Sequence, residues 1–254
     1  MDMKAGTSEE RALVEHAHLA RALAETVPTI TLPGDPQTPD AVFPNNVFAT
    51  TKDRLILGAM RHEVRRREAK RSDIQSLFTG LFAKRIERLP DDCVAELTGP
   101  LIVDRGRNIG FCGLTERCDR RGAEAMDSAF GLDLTFVFEL DPAEYHTNVV
   151  MSVLASRALV IHPPSFRDPE VPRAIAALYG ERVVVLTDAE KAAFAGNCIA
   201  LSPRDVWMSA AAAAALTVQH RADLAAWGFE VKSAPLAEIE KAGGSLRCCV
   251  AEIY

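Results

Sequence analysis

The sequence predicts a single α/β domain with pseudo-rotational symmetry, and three observations lead there. A unit of two strands, a helix and a strand recurs about every 50 residues, a period typical of propellers and repeat arrays. The strands come in pairs before each helix, whereas a doubly wound sheet would alternate strands and helices one for one. No Gly/Ser-rich or Pro-rich linker divides the chain, so the units belong to one domain over residues 1–254. Sequence identity between the units is negligible, and the repeat rests on hydrophobic pattern alone.

Residues 8–26 read as an amphipathic helix, with Leu13, Val14, Ala17, Ala20, Leu23 and Ala24 on one stripe and acidic residues at its start. Pro28, Pro33, Gly34, Pro36 and Pro39 punctuate an irregular entry loop. AVFPNNVFAT (41–50) and RLILGAM (54–60) are two strands around the polar TTKD turn. A long basic helix over 62–88 follows, with Ile74, Leu77, Phe78, Leu81, Phe82 and Ile86 on its buried side. PLIVD (100–104) and NIGFCGL (108–114) form the next pair, followed by a helix over 119–130 and the strand LDLTFVFEL (132–140). NVVMSVLA (148–155) and RALVIHP (157–163) repeat the pattern, with a helix over 168–179 and the strand RVVVLTD (182–188). NCIAL (197–201) and DVWMS (205–209) precede an alanine-rich helix over 210–227 and the strand FEVKSA (229–234). SLRCCVAEIY (245–254) is strand-like.

Composition bounds the function. With 254 residues, 48% hydrophobic and 25% charged, the chain matches an ordinary globular protein, which excludes disorder, collagen-like structure and a disulfide-stapled mini-domain. No apolar run approaches the ~20 residues that span a bilayer, and the charged, periodic N-terminus is no secretory signal. A net charge of −6 repels phosphate backbones and disfavours nucleic acid as a partner. The expectation is a soluble cytoplasmic protein with a small-molecule partner and neither nucleic acid nor membrane; homo-oligomerisation is left open. The six cysteines, Cys93, Cys112, Cys118, Cys198, Cys248 and Cys249, show no C-x-x-C spacing and no accompanying His cluster. No metal site is therefore expected, and the thiols are expected free.

Nucleotide-binding loops and the G-x-S-x-G nucleophile elbow are missing. What remains is a set of polar residues at strand ends, where a rigid scaffold usually carries its chemistry. Asn45-Asn46 interrupt an apolar strand, Glu96 precedes a Thr-Gly turn, and His146 opens a strand after Tyr145. Asn197 follows an Ala-Gly turn, and Cys248 follows Gly243-Gly244-Ser245. Singly, each has an ordinary structural explanation: paired Asn residues mark turns, and a lone His is often just a satisfied polar contact.

Together and in this order they resemble the guanidine-modifying superfamily, which includes arginine deiminases, dimethylarginine dimethylaminohydrolases, succinylarginine dihydrolases, glycine amidinotransferases and citrulline hydrolases. Five stretches spanning most of the chain carry the resemblance, which is nearest the citrulline and arginine hydrolase branch. PDAVFPNNVF (39–48) resembles that branch's substrate-binding strand, and AELTGPLIVD (95–104) its Leu-Glu-Gly-Thr-Gly segment. FCGLTERCDRRGAEAM (111–126) resembles the arginine-bearing segment of dimethylarginine dimethylaminohydrolases. HTNVVMSV (146–153) and GGSLRCCVAEIY (243–254) match the segments of the catalytic His and the terminal nucleophile; FAGN (194–197) and RRRE (65–68) add support. The resemblance implies Cys248, His146 and Glu96 as catalytic residues, and Asn46, Asn148, Asn197, Arg117 and Arg65 as substrate-binding ones. It also implies a five-fold pseudosymmetric α/β propeller of ββαβ units around a central polar channel, in agreement with the repeat. Four departures stand out. Leu97 replaces a usual glycine, Val47 a usual Trp, and Asn46 and Asn148 stand where deiminases carry aspartates. Cys249 matches no family catalytic position and is expected on the opposite face of a strand from Cys248.

The residue types suit the chemistry. A guanidino or ureido carbon is a poor electrophile and needs a strong nucleophile, which a thiolate supplies once neighbours lower its pKa from about 8.5. In this scheme Cys248 attacks the carbon with release of ammonia, His146 protonates the leaving nitrogen and then activates water, and Glu96 orients both. No metal or organic cofactor is required. Asn46 and Asn148 offer donor and acceptor groups together, which suits a neutral ureido group or a dihydrolase passing through one. Arg117 and Arg65 could clamp an α-carboxylate, although Arg65 sits on a basic helix face of the kind that is often merely solvated. Two other functions fit the same fold: an amidinotransferase, and a non-catalytic binding protein that would not need Glu, His and Cys at these places.

Overall fold

The computed structural model describes residues 8–254. Helix α1 (Glu9–Ala24) opens on Ser8, whose side chain accepts from Arg11 N. Its buried residues are Leu19 and Leu23, while Leu13 and Val14 face outward, so the buried stripe is rotated from the expected one. The unit then appears four times. Strands β1 (Phe48–Thr50) and β2 (Arg54–Leu57), helices α2 (Glu63–Ala69) and α3 (Ser72–Gly80) and strand β3 (Arg85–Arg88) make the first. The second is β4 (Leu101–Asp104), β5 (Ile109–Leu114), α4 (Arg120–Phe130) and β6 (Leu134–Glu139). The third is β7 (Met151–Leu154), β8 (Ala158–Ile161), α5 (Glu170–Ala177) and β9 (Val183–Val185), followed by the short α6 (Asp188–Ala192). The fourth is β10 (Ile199–Ala200), β11 (Asp205–Ser209), α7 (Ala210–Ala215), α8 (Val218–Ala226) and β12 (Glu230–Ala234), followed by α9 (Ala237–Glu240).

Each unit is a three-stranded mixed sheet of the same kind. Its first two strands pair antiparallel, as in β1–β2 with Phe48 opposite Leu57, and the third returns through the helix to pair parallel, as in β2–β3 with Leu55 opposite Ile86. The crossover helix packs on the sheet and fills the core. In the second unit, Ala123, Met126, Ala129 and Phe130 of α4 meet Leu101 and Cys112 of the sheet. That helix begins on Asp119, which accepts from Gly122 N, and ends at Gly131 with φ +66°, where a residue without Cβ is favoured.

Three expected elements differ. The helix over 62–88 is two helices and a strand: α3 ends at Gly80, the chain turns through Ala83 at φ +51°, and Arg85–Arg88 joins β2. Ile86 thus lies on a strand and is largely exposed, although it continues the helical spacing of Ile74, Phe78 and Phe82. The helix over 210–227 breaks at Leu216, because Thr217 caps α8 by accepting from His220 N. The C-terminal stretch is not a strand. Leu246–Cys249 is a 3-10 turn closed by Ser245 O, which accepts from Cys248 N and Cys249 N. The residues after it run beside β1, tied by bonds from Thr50 Oγ1 to Glu252 O and from Tyr254 N to Thr50 Oγ1. Among the described residues, no helix is long and apolar enough to cross a membrane.

Candidate active site

The polar residues singled out in the sequence sit on the turns that lead into the first strand of a unit, except Cys248, which lies in the terminal turn. Asn45 and Asn46 are in a 3-10 turn (Pro44–Asn46) before β1, rather than within a strand. Glu96 lies before β4, and His146 precedes the 3-10 turn Thr147–Val149 that leads into β7. Asn197 lies before β10, and Cys248 is in the terminal 3-10 turn.

These turns are bonded to one another. Thr98 Oγ1 donates to Asn45 O (3.0 Å), and Asn148 Nδ2 donates to Thr98 O (3.0 Å). Asn197 Nδ2 donates to Asn148 O (2.7 Å), and Arg247 N donates to Asn197 Oδ1 (3.0 Å). With Asn45 Nδ2 donating to Thr98 O (3.3 Å), four side chains clamp five turns, all buried where an unmade bond would be costly.

Within this frame Glu96, fully buried, accepts from His146 Nε2 at 2.9 Å and from Arg117 Nη1 at 3.2 Å. Burial alone would raise the Glu96 carboxyl, but the bond from His146 and the charges of His146, Arg117 and Arg65 hold it at about 2. Burial lowers the His146 imidazole, with Glu96 pulling the other way, so the ring is neutral near pH 7. A carboxylate on Nε2 places the proton there and leaves Nδ1, buried and without a partner among the described residues, free to exchange a proton with a ligand. Gly99 underlies the ring: a Cβ at that position would stand 2.8 Å from His146 Nε2.

Cys248 is buried, and its Sγ accepts from Asn197 Nδ2 at 3.3 Å, with Asn148 Oδ1 at 3.9 Å. The expected lowering of its pKa is not found. Burial pushes the thiol up, only partly offset by the Ser245 backbone bond, Asn197, Arg247 and Arg65. Because Cys248 lies in a turn, strand alternation does not apply to Cys249, which packs in the same apolar cluster as Cys248.

Cys248 and His146 line one pocket together with Asp40, Phe43, Asn46, Arg65, Arg117, Tyr145 and the Ala242–Gly244 segment, in about 400 Å³ of atom-free space including the mouth. Of the expected substrate-binding residues, Asn46, Arg117 and Arg65 are in this lining, and the Asn46 Oδ1 is buried without a protein partner. Asn148 and Asn197 are not. Asn148 Nδ2 bonds Thr98 O, and Asn197 uses both ends of its carboxamide on neighbouring turns and on the thiol. Arg65 is also more constrained than a free clamp: it donates to Asp40 O (3.0 Å) and Phe43 O (2.7 Å) and pairs with Glu68 (3.2 Å). Asp40, Phe43 and Tyr145 were not picked out from sequence, although each lies in or beside a stretch that carried the resemblance. Tyr145 bonds Gly243 O through its hydroxyl, linking the His146 segment to the Cys248 segment. Leu97 sits at φ +40°, so the loop keeps the conformation that a glycine would adopt there. Among the described residues, no group of three or more His, Cys, Asp or Glu could hold a metal ion.

The sequence model of the eukaryotic N,N dimethylarginine dimethylhydrolase family matches residues 1–254. The chain belongs to that family. It is 30% identical over 144 residues to N(G),N(G)-dimethylarginine dimethylaminohydrolase of Mycobacterium tuberculosis, covering 57% of this chain and 45% of the relative. It is 23% identical over 246 residues to the bifunctional arginine dihydrolase/ornithine cyclodeaminase ArgZ of Synechocystis, covering 95% of this chain and 33% of that protein. The chain thus spans less than half the length of either relative. The fold matches the substrate-bound N-terminal domain of cyanobacterial ArgZ at TM-score 0.85 and 22% identity, over 96% of this chain and 86% of that one. It matches a dimethylarginine dimethylaminohydrolase adduct with S-methyl-L-thiocitrulline at 0.77 and 22%, over 96% and 89%. The chain has the α/β fold with mixed sheets of these proteins.

Proposed function

We infer that the protein is a cysteine-dependent hydrolase of the guanidino carbon of an arginine-like substrate. The observation that carries this reading is that His146 and the Cys248 thiol line one pocket, with the buried Glu96 bonded to His146 at 2.9 Å. Cys248 gives its thiol proton to His146 as Sγ forms a bond to the guanidino carbon, and the C–N bond to the departing nitrogen breaks as His146 passes that proton on to it. The products of this step are an amidino thioether on Cys248 and ammonia or an amine. His146 then takes a proton from water, the hydroxide adds to the same carbon, and the C–S bond breaks to release a ureido product and the thiolate. The covalent step is supported by an ArgZ N-terminal domain, 22% identical at TM-score 0.85, described as covalently bonded to a reaction intermediate.

A guanidino group is favoured over a neutral ureido group as first substrate. The Cys248 thiol is held above its ordinary pKa by burial, and a cation beside it would offset that penalty whereas a ureido group would not. The two-amide argument for citrulline also weakens, because only Asn46 of the pair lines the pocket. A ureido intermediate taken on to ornithine is the second reading, supported by the free Asn46 Oδ1.

The five-fold propeller belongs to this reading as well. Asn45, Thr98, Asn148, Asn197 and Arg247 are five stations separated by 53, 50, 49 and 50 residues. The segment after the fifth returns to Thr50 of the first unit, as closure requires. The test of function is incubation with arginine, citrulline and methylated arginines, assaying ammonia, amines and ornithine. Arginine or a methylated arginine should give a mass increment on Cys248 when the reaction is quenched with acid. Turnover retained in Cys248→Ser would overturn the reading.

A further inference from the structure

We propose that Glu68 is a positioning residue that gates Arg65, taking up a proton when the carboxylate end of the substrate reaches that arginine. The inference rests on the arginine-like substrate proposed above. Arg65 lines the pocket, yet its guanidinium is turned toward protein partners: Asp40 O, Phe43 O and, at 3.2 Å, Glu68 Oε2. The two carbonyls fix its place, and among the described residues Glu68 is the carboxylate that pairs with it directly. Glu68 is almost wholly buried, and its second oxygen, Oε1, has no hydrogen-bond partner among the described residues. A buried carboxylate satisfied on one side only is an unstable anion, and protonation is its cheapest relief.

The groups around Glu68 set the direction. Arg65 and Arg71 favour its charge, while Asp40, from the loop before the first turn, and Glu96, from the catalytic pair, oppose it. Burial is the largest influence and lifts the carboxyl to about 7. A substrate carboxylate arriving at Arg65 adds a further negative charge beside Glu68 and pushes it up again. Below its pKa Glu68 is neutral, and Arg65 offers its full charge to the ligand. Above it, Glu68 competes with the ligand for the same guanidinium. Binding of a carboxylate-bearing ligand therefore weakens as pH rises, and a ligand lacking the carboxylate is indifferent to Glu68.

The experiment is calorimetric titration of arginine, and of agmatine as its carboxylate-free counterpart, into Cys248→Ser protein, which blocks turnover. Titrations run from pH 5.5 to 8 in buffers of different ionisation enthalpy, so that protons taken up are counted. Arginine should take up a substantial fraction of a proton near pH 7, and its Kd should rise about tenfold across the range, as for a pKa displaced by one unit. Agmatine should show neither effect, and adding Glu68→Gln should flatten the arginine profile. Should Glu68→Gln fail to fold, the proton count and the agmatine comparison still decide. Arginine binding without proton uptake, or an agmatine profile as steep as that of arginine, overturns the role of Glu68 alone. No binding of arginine at any pH overturns the reading of the site and this inference with it.

Discussion

Replacing Glu96 by Gln keeps the shape of the site and removes one charge. The magnitude follows from the displacement of that carboxyl from 4.5 to about 2, which at 1.36 kcal/mol per unit is about 3 kcal/mol of stabilisation of the carboxylate. This is a lower bound on what its neighbours supply, because they first overcome the penalty of full burial. The principal neighbours are His146 at 2.9 Å and Arg117 at 3.2 Å. Coupling is mutual, so the imidazolium form of His146 loses what Glu96 gave it. If half or more of the coupling falls on His146, kcat should drop by about ten- to a hundredfold, since each 1.4 kcal/mol is a factor of ten. The assay is ammonia release at saturating arginine. The same charge has a stability signature of definite sign. The folded pKa of Glu96 is depressed, so its contribution is present above pH 4.5 and is lost as pH falls toward 2. The wild-type protein should lose stability over that window faster than Glu96→Gln, measured as Tm against pH. A variant within threefold of the wild-type kcat would show that Glu96 does not set the state of His146.

Two further outcomes test the pocket and the loop beneath it. Asn46→Asp should raise the ratio of kcat/KM for arginine over citrulline by about tenfold, because a charge-assisted bond to a guanidinium is worth roughly 1.5–3 kcal/mol; an unchanged or lower ratio means Asn46 does not touch the reacting group. Leu97→Gly relieves a left-handed backbone at φ +40°, worth about 1–2 kcal/mol, but empties a fully buried position in the core of the second unit, which costs about 2–5 kcal/mol. It should therefore lower unfolding stability in urea, and a gain would mean the strain outweighs the packing.

How legible the fold was depended on whether an element carries a period. The four strand pairs were read from apolar runs, and the helix over 119–130 from its apolar face, with Asp119 and Gly131 now seen as its caps. The stretch after Gly80 misled because Ile74, Phe78, Phe82 and Ile86 keep helical spacing across a change of structure. What makes Arg85–Arg88 a strand is its pairing with β2, some 30 residues earlier. The turns of the site had no period to read. A single 3-10 turn fixes three or four residues, too few for any pattern. Glu96, His146 and Cys248 were visible by type and order, and the pocket holds His146 and Cys248 together. The roles of Asn148 and Asn197 were not, because a carboxamide serves a ligand or a backbone carbonyl equally well. Only the neighbour one unit away decides which, and that neighbour is about 50 residues off in sequence.

That separation links the repeat to the chemistry. Glu96 and His146 are bonded at a distance of 50 residues in sequence, as are Thr98 and Asn148, and Asn197 and Arg247. The first two join the entry turn of one unit to that of the next, and the third joins the entry turn of the fourth unit to the terminal turn, so the length of the unit determines which side chains meet. The same bonds hold Cys248: Asn197 receives Arg247 N on its Oδ1 and reaches Cys248 Sγ with its Nδ2, while that Nδ2 also grips Asn148 O. One carboxamide thus ties the thiol to the turn after His146. Its position along the chain is constrained as tightly as that of the reacting residues, although it does not line the pocket. A site assembled this way needs no long loop to bring its parts together. Its rigidity comes from buried amide bonds between turns, where each unmade bond would leave a polar group without water, and the three chemical groups inherit that rigidity.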